Sequence, residues 1–125
     1  MNKLRQIKKT LGSQYCFRRF MNPWTLRKAV TSNSLYFVQP AARLTAGCVK
    51  LEAVIYSGHG RLQLGYDMFV KDAPNRPEWI CYEHLQEPVR LGEREMFRVL
   101  DRAVEQYGLS YTECPFPIVK GIEPM

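Results

Sequence analysis

The sequence predicts an α+β protein, in which an antiparallel meander of three to four strands packs against a C-terminal amphipathic helix, with one or two short basic helices at the N-terminus. Two periodicities and one pair of helix-start features carry that expectation. Apolar residues alternate between residues 49 and 85, the spacing of half-buried strands. They recur at helical spacing over residues 93–107, where Met96, Phe97, Leu100, Ala103, Val104 and Tyr107 form one stripe. Before residue 35 the chain carries a short apolar stripe and an Asn-Pro helix start.

The 125 residues are near the common size of one domain, expected to span residues 1–125. A basic helical region occupies residues 1–33, the sheet 35–85, the C-terminal helix 93–107 and an extended tail 115–125. Leu4, Ile7 and Leu11 recur at i, i+3, i+7 among Lys3, Arg5, Lys8 and Lys9, which reads as a basic amphipathic helix ending near Gly12. So short a helix is marginal alone; it docks on the domain's own sheet or orders on a partner. Residues 15–21 read equally as strand or helix. Asn22 is a good N-cap and Pro23 a good first helical residue, and the helix they start ends in Thr31-Ser32-Asn33-Ser34.

Residues 35–39 read as a short strand stopped by Pro40. Residues 49–56, 61–71 and 78–85 follow as strands in series, the first two joined through Ser57-Gly58-His59-Gly60. The face opposite the core is expected to show Lys50, Tyr56, Arg61, Gln63, Phe69 and Lys71, with Ile80, Tyr82 and His84 or their alternates. Glu93 and Glu95 suit the positive end of the last helix, and Gly108 its C-terminus. Arg94, Arg98 and Arg102 form an outer row near Asp101 and Glu105 and read as a solvated face. The order helix, three strands, helix is also that of double-stranded-RNA-binding domains. The carboxylates that open the last helix here would repel a duplex, so that reading is set aside.

Charge is distributed very unevenly. Residues 1–51 hold ten Lys or Arg and no acid, whereas residues 52–125 hold eight Lys or Arg and all twelve acids, so the halves carry +10 and −4. Such asymmetry points to a polyanion or an acidic protein surface as partner. The candidate contacts are Lys3, Arg5, Lys8, Lys9, Arg18, Arg19, Arg27, Lys28, Arg43 and Lys50. Tyr15, Phe17, Trp24 and Tyr36 lie among them as candidate stacking platforms. Cations offset phosphate charge while flat rings stack on bases, so this interleaving suits nucleic acid or a nucleoprotein complex. The alternative is a protein-directed adaptor or inhibitor, of the kind carried on mobile elements, that docks on an acidic or nucleic-acid-binding groove of a larger partner.

Catalytic and metal-binding patterns are sparse, and the chain is read as non-enzymatic. A thiol nucleophile needs a neighbouring imidazole, and the two histidines are His59, in the glycine turn, and His84. His84 follows Cys81 by three residues, and in a regular strand that spacing sends the two side chains to opposite faces. Neither a zinc-type spacing of ligands nor a phosphate-cradling glycine loop is present, so no metal or cofactor is expected. No apolar run approaches the ~20 residues of a membrane span, and no apolar segment follows the basic start as in a secretory leader. The expected location is therefore the cytoplasm, without membrane association. Cys16, Cys48, Cys81 and Cys114 are expected as reduced thiols, with one or two disulfides as the alternative.

Overall fold

A computed structural model describes residues 3–32, 38–58, 61–73 and 75–115. In chain order these form α1 (Lys3–Leu11), a 3₁₀ turn (Gly12–Gln14), β1 (Tyr15–Arg19), α2 (Pro23–Ser32), β2 (Gln39–Ala46), β3 (Val49–Gly58), β4 (Arg61–Val70), β5 (Ile80–Leu85) and α3 (Glu93–Tyr107). The class is the expected α+β, but the sheet has five strands, ordered β1-β2-β3-β4-β5, with every neighbour antiparallel. Among the described residues, no helix is long and apolar enough to cross a membrane.

One strand, β1, is additional, and β2 begins where the strand expected over residues 35–39 was to stop, each for an identifiable reason. β1 alternates over only five residues, with Tyr15 and Phe17 turned to the core and Cys16 and Arg18 turned away. β2 begins at Gln39 and runs through Pro40, where the sequence places a stop. A register shift between Pro40 and Ala42 absorbs the amide that proline lacks. The bulge is also used: the Ala41 carbonyl accepts the amides of Phe20 at 2.8 Å and Met21 at 3.1 Å, holding the chain as it leaves β1. The inward residues of β2 are Ala42, Leu44 and Ala46, two of them too small to mark a strand by hydrophobicity. Residues 35–37, Tyr36 among them, lie outside the described residues, as do His59, Gly60 and the tail from 116 onward.

The core is one layer between the sheet and its helices. Val49, Leu51, Ala53 and Ile55 of β3 face the same side as Tyr66, Met68 and Val70 of β4, all at or below 1% exposure. Met96, Phe97, Leu100, Ala103 and Val104 of α3 close over them, and Leu11 of α1 and Leu26 of α2 join the same cluster. Each fully buried side chain of this size contributes roughly 1.5–3 kcal/mol by leaving water, so α1, marginal as an isolated helix, is held by docking. The Asn22 side chain caps α2 as expected, its Oδ1 accepting the Thr25 amide at 2.7 Å. Tyr66 is buried, and its hydroxyl oxygen accepts the Arg90 amide at 2.7 Å, which ties the β5–α3 connection to the sheet.

At the other end, Gly108 caps α3 in the left-handed region (φ 69°) and the Leu109 amide donates back to the Val104 carbonyl at 2.8 Å. The chain then turns onto the sheet. The Tyr111 ring stacks on Phe97 with centroids 6.3 Å apart, its hydroxyl donates to Asp101 Oδ1 at 3.0 Å, and its carbonyl accepts the Cys48 amide at 2.8 Å. Gly47, in the two-residue β2–β3 turn, has φ 65°, and a Cβ there would sit 1.9 Å from the Tyr111 carbonyl oxygen. Backbone conformation and close approach both require glycine at this position. Gly47→Ala is therefore expected to lower stability by about 3 kcal/mol, against about 1 kcal/mol for Gly108→Ala, which has open space around it. Urea unfolding of the two variants side by side checks this; equal losses would contradict it.

Candidate functional site

Every buried residue of the described helices belongs to the one core cluster, so the helices cover one face of the sheet. The other face is built from the alternate residues. Registers place two rows across it: Cys16, Thr45, Lys50, Phe69 and Cys81 in one, and Arg18, Arg43, Glu52, Asp67 and His84 in the next. Lys50, Tyr56, Gln63, Phe69 and His84 are on this side as the alternation requires, whereas Ile80 and Tyr82 belong to the inner side, opposite Val70 and against Tyr107.

Two cation–aromatic clusters stand on this face. Phe20, just beyond β1, lies between two guanidiniums, with Arg18 Cζ 5.6 Å and Arg43 Cζ 5.2 Å from its ring centroid. Trp79, just before β5, lies between two ammonium groups, Lys50 at 4.8 Å and Lys71 at 5.0 Å, and Lys50 is also 4.6 Å from Phe69. The Lys50 side chain is only 12% exposed, and this burial lowers its pKa, with Arg43 and Lys71 acting in the same direction and Glu52 opposing. The clusters adjoin on neighbouring strands, where Arg43 Nε and Lys50 Nζ lie 2.7 Å and 3.9 Å from the same Glu52 Oε2.

The second row contains a conflict that stability alone does not explain. Arg18 is directly opposite Arg43, and Glu52 directly opposite Asp67. Like charges facing each other across strands are destabilising. Partners soften the cost: Arg43 Nε donates to Glu52 Oε2 at 2.7 Å and His84 Nδ1 contacts Asp67 Oδ1 at 2.5 Å. Among the described residues, Arg18 meets the Phe20 ring.

The ten candidate cations do not gather into one surface. α1 carries Lys3, Arg5, Lys8 and Lys9 to the helical side, where Lys3 pairs with Asp101 at 2.9 Å and Lys8 with Glu93 at 2.8 Å, bridging α1 to α3. Arg27 and Lys28 are exposed on α2. Arg18, Arg43 and Lys50 point to the open sheet face, and Arg19 ends β1 opposite Ala42. The split has a simple cause: the apolar stripe of α1 docks on one side of the sheet while strand alternation sends its neighbours to the other. Lys3, Lys8, Arg43 and Lys50 are tied to carboxylates of the second half, and the exposed ties of Lys3 and Lys8 contribute little, about 0–1 kcal/mol each.

The candidate stacking residues are likewise divided. Tyr15 and Phe17 are half-buried against the core and offer no open ring face, and burial with the Glu93 carboxylate raises the Tyr15 hydroxyl. Trp24 is 65% exposed on α2, away from the sheet clusters. Rings that do occupy the open face include Phe20, Tyr56, Phe69 and Trp79. Tyr56 and Phe69 were legible from alternation; Phe20 and Trp79 sit just outside strands, where alternation gives no direction.

Cys81 and His84 require a correction. β5 is bulged between the partners of Met68 and Phe69, so Tyr82 is the extra residue and Cys81 shares the outer face with His84. Cys81 Sγ is 4.0 Å from His84 Nε2, and His84 Nδ1 meets Asp67, the order of an Asp-His-Cys relay. Its electrostatics work against a thiolate: partial burial, then Asp67 and Glu83, push the Cys81 thiol up. Among the described residues no group of three or more Cys, His, Asp or Glu could hold a metal ion.

A separate groove of about 830 Å³ lies between α2 and the start of α3. Leu26, Leu64 and Leu91 line its apolar part, and Arg27, Arg90, Arg98 and Glu95 its polar part. No family model matches the chain, and no curated protein or solved structure matches it either. What fold and faces define is therefore a class: an α+β chain with a one-sided sheet whose second face is charged and aromatic.

The Cys81 environment gives a clear test. Asp67→Asn removes a carboxylate that holds the thiol protonated, so alkylation of Cys81 near neutral pH is expected to quicken roughly two- to fivefold, with exposed Cys16 as internal reference. A slower reaction would show instead that Asp67 orients His84 as a working base.

Proposed function

We propose that this protein is a non-enzymatic binding protein that engages single-stranded nucleic acid, alone or within a nucleoprotein complex, through the open face of its sheet. The observation that carries this reading is the pair of cation–aromatic clusters, Arg18–Phe20–Arg43 and Lys50–Trp79–Lys71, on the face that no helix among the described residues covers. Single strands present unpaired bases to rings and phosphates to cations, and aromatic residues on an open antiparallel sheet are one established way of reading them. A duplex hides its bases and brings two phosphate backbones toward Glu52 and Asp67, so single strands are the better fit. The relevant part of the basic N-terminal half is then Arg18 and Arg43, with Lys50 and Lys71 from the adjoining strands, rather than α1.

Affinity should be modest, because four cations on this face stand against Glu52 and Asp67. Neutralising between two and four phosphates predicts a slope of log affinity against log salt between about −1.4 and −2.8 for a single strand. Fluorescence anisotropy with labelled DNA and RNA oligonucleotides from 50 to 200 mM salt (roughly the range over which such slopes are read) measures it. Trp79→Leu is expected to weaken binding about tenfold with the slope unchanged. Arg18→Gln should reduce the slope by about 0.7, and Lys9→Gln on α1 should alter neither. Absence of binding at the lowest salt would overturn the proposal.

The groove between α2 and α3 favours a second reading, in which a larger partner inserts an acidic, apolar segment over Leu26 and Leu91 beneath the three arginines. A complex that survives nuclease treatment, and that Leu91→Asp disrupts while Trp79→Leu does not, would select it over nucleic-acid binding.

A further inference from the structure

Two cysteines far apart in sequence meet at the end of the sheet. Cys48 holds the second position of the β2–β3 turn and is 4% exposed; Cys114 follows α3. Their sulfurs are 3.1 Å apart although 66 residues separate them. The contact is not what brings the two segments together. The Cys48 amide donates to the Tyr111 carbonyl at 2.8 Å, the Cys48 carbonyl accepts the Lys71 amide at 3.0 Å, and the Gly47 amide donates to Gln14 at 2.9 Å. Backbone hydrogen bonds and the Gly47–Tyr111 fit already hold both residues. A disulfide bond is ~2.05 Å long, so closure asks the sulfurs to approach by about 1 Å, which small side-chain rotations supply.

We propose that Cys48 and Cys114 are a redox-active dithiol that closes to an intramolecular disulfide, fastening the chain after α3 to the β2–β3 turn, with a low-molecular-weight disulfide as oxidant. Cys114 is the more accessible sulfur and reacts first. Its thiolate attacks one sulfur of the oxidant, expelling one small thiolate and leaving a mixed disulfide. Cys48, deprotonated in turn, attacks the Cys114 sulfur and expels the second. Two protein thiols are oxidised, the small disulfide is reduced to two thiols, and the two protons pass to them.

The surroundings suit this chemistry. A pocket of about 310 Å³ opens beside Cys48, lined by Ser13, Gln14, Cys16, Thr45, Lys71 and Thr112; Lys71 gives a small polar disulfide with carboxylates a cation to approach, and Cys16 is the thiol that competes with Cys114 for it. Burial, and next the hydrogen bond to Cys114, push the Cys48 thiol up to about 12 in the dithiol; burial persists once Cys114 carries the mixed disulfide, so closure needs Cys48 deprotonated and quickens with rising pH. The closed loop is long, which is the case in which a cross-link most restricts the unfolded chain. The Cys48–Cys114 contact is set by the Tyr111 docking and not by what the open sheet face binds, although Lys71 borders both.

The test uses the full chain with oxidised glutathione at mildly alkaline pH, followed by alkylation, peptide mapping and thermal unfolding. Expected are a mass loss of about 2 Da, a Cys48–Cys114 cross-linked peptide, and Cys16 and Cys81 recovered alkylated. The unfolding midpoint should rise by at least about 5 °C and return on addition of dithiothreitol. Cys114→Ser should lose this response while its midpoint stays near that of the reduced parent. A persistent glutathione adduct on Cys114, a bridge involving Cys16 or Cys81, or a bridge without a rise in midpoint would each overturn the proposal.

Discussion

Strict side-chain alternation along β3 and β4 is the constraint on which the rest of this structure depends. These paired ten-residue strands put Val49, Leu51, Ala53, Ile55, Tyr66, Met68 and Val70 on one side, with exposures of 0% or 1%. A slip of one residue would send that entire set to the opposite side, so the register is fixed by burial. The same register then leaves no choice about the other face. Lys50, Glu52, Asp67 and Phe69 are there because their neighbours are inside, and β1 and β2 continue the pattern with Arg18, Arg43 and Thr45.

That geometry divides the positive charge of the N-terminal half. α1 reaches the molecule through Leu4, Ile7 and Leu11, so its lysines lie beside α3 and bridge to Asp101 and Glu93. They work as connectors between helices. Arg18, Arg43 and Lys50 of β1–β3 are different in kind: these three sit on a flat surface within reach of a ring, and Lys50 is nearly enclosed by Phe69 and Trp79. Removing an ammonium from water and setting Arg18 against Arg43 both oppose folding, and the apolar layer beneath supplies the stability that tolerates them.

Much of the architecture was legible where local rules and burial agree. α3, its Gly108 cap, the Asn22-Pro23 start of α2 and the β3–β4 hairpin all follow from period and capping chemistry. β1 was ambiguous because five alternating residues are compatible with a helical turn. β2 was misplaced because alanines carry little hydrophobic contrast and Pro40 reads as a stop unless a bulge receives it. Side-chain meetings were the least legible. The β5 bulge that joins Cys81 to His84 leaves no mark in residue spacing, and Cys48 meets Cys114 only because Tyr111 docks on Gly47. The division of the ten candidate cations between the helices and the open face was illegible for a related reason, since net charge along a chain says nothing about which side of a sheet each residue occupies.

The claim that the uncovered side of the sheet is the binding surface is tested most directly by nuclear magnetic resonance, following amide and indole shifts as an unlabelled single-stranded oligonucleotide is added. The amides of Arg18, Arg43, Lys50, Phe69 and Lys71 and the Trp79 indole should move together, saturating at one concentration, while α1 and the groove beside Leu91 stay still. Shifts confined to α1, α2 or that groove would contradict it.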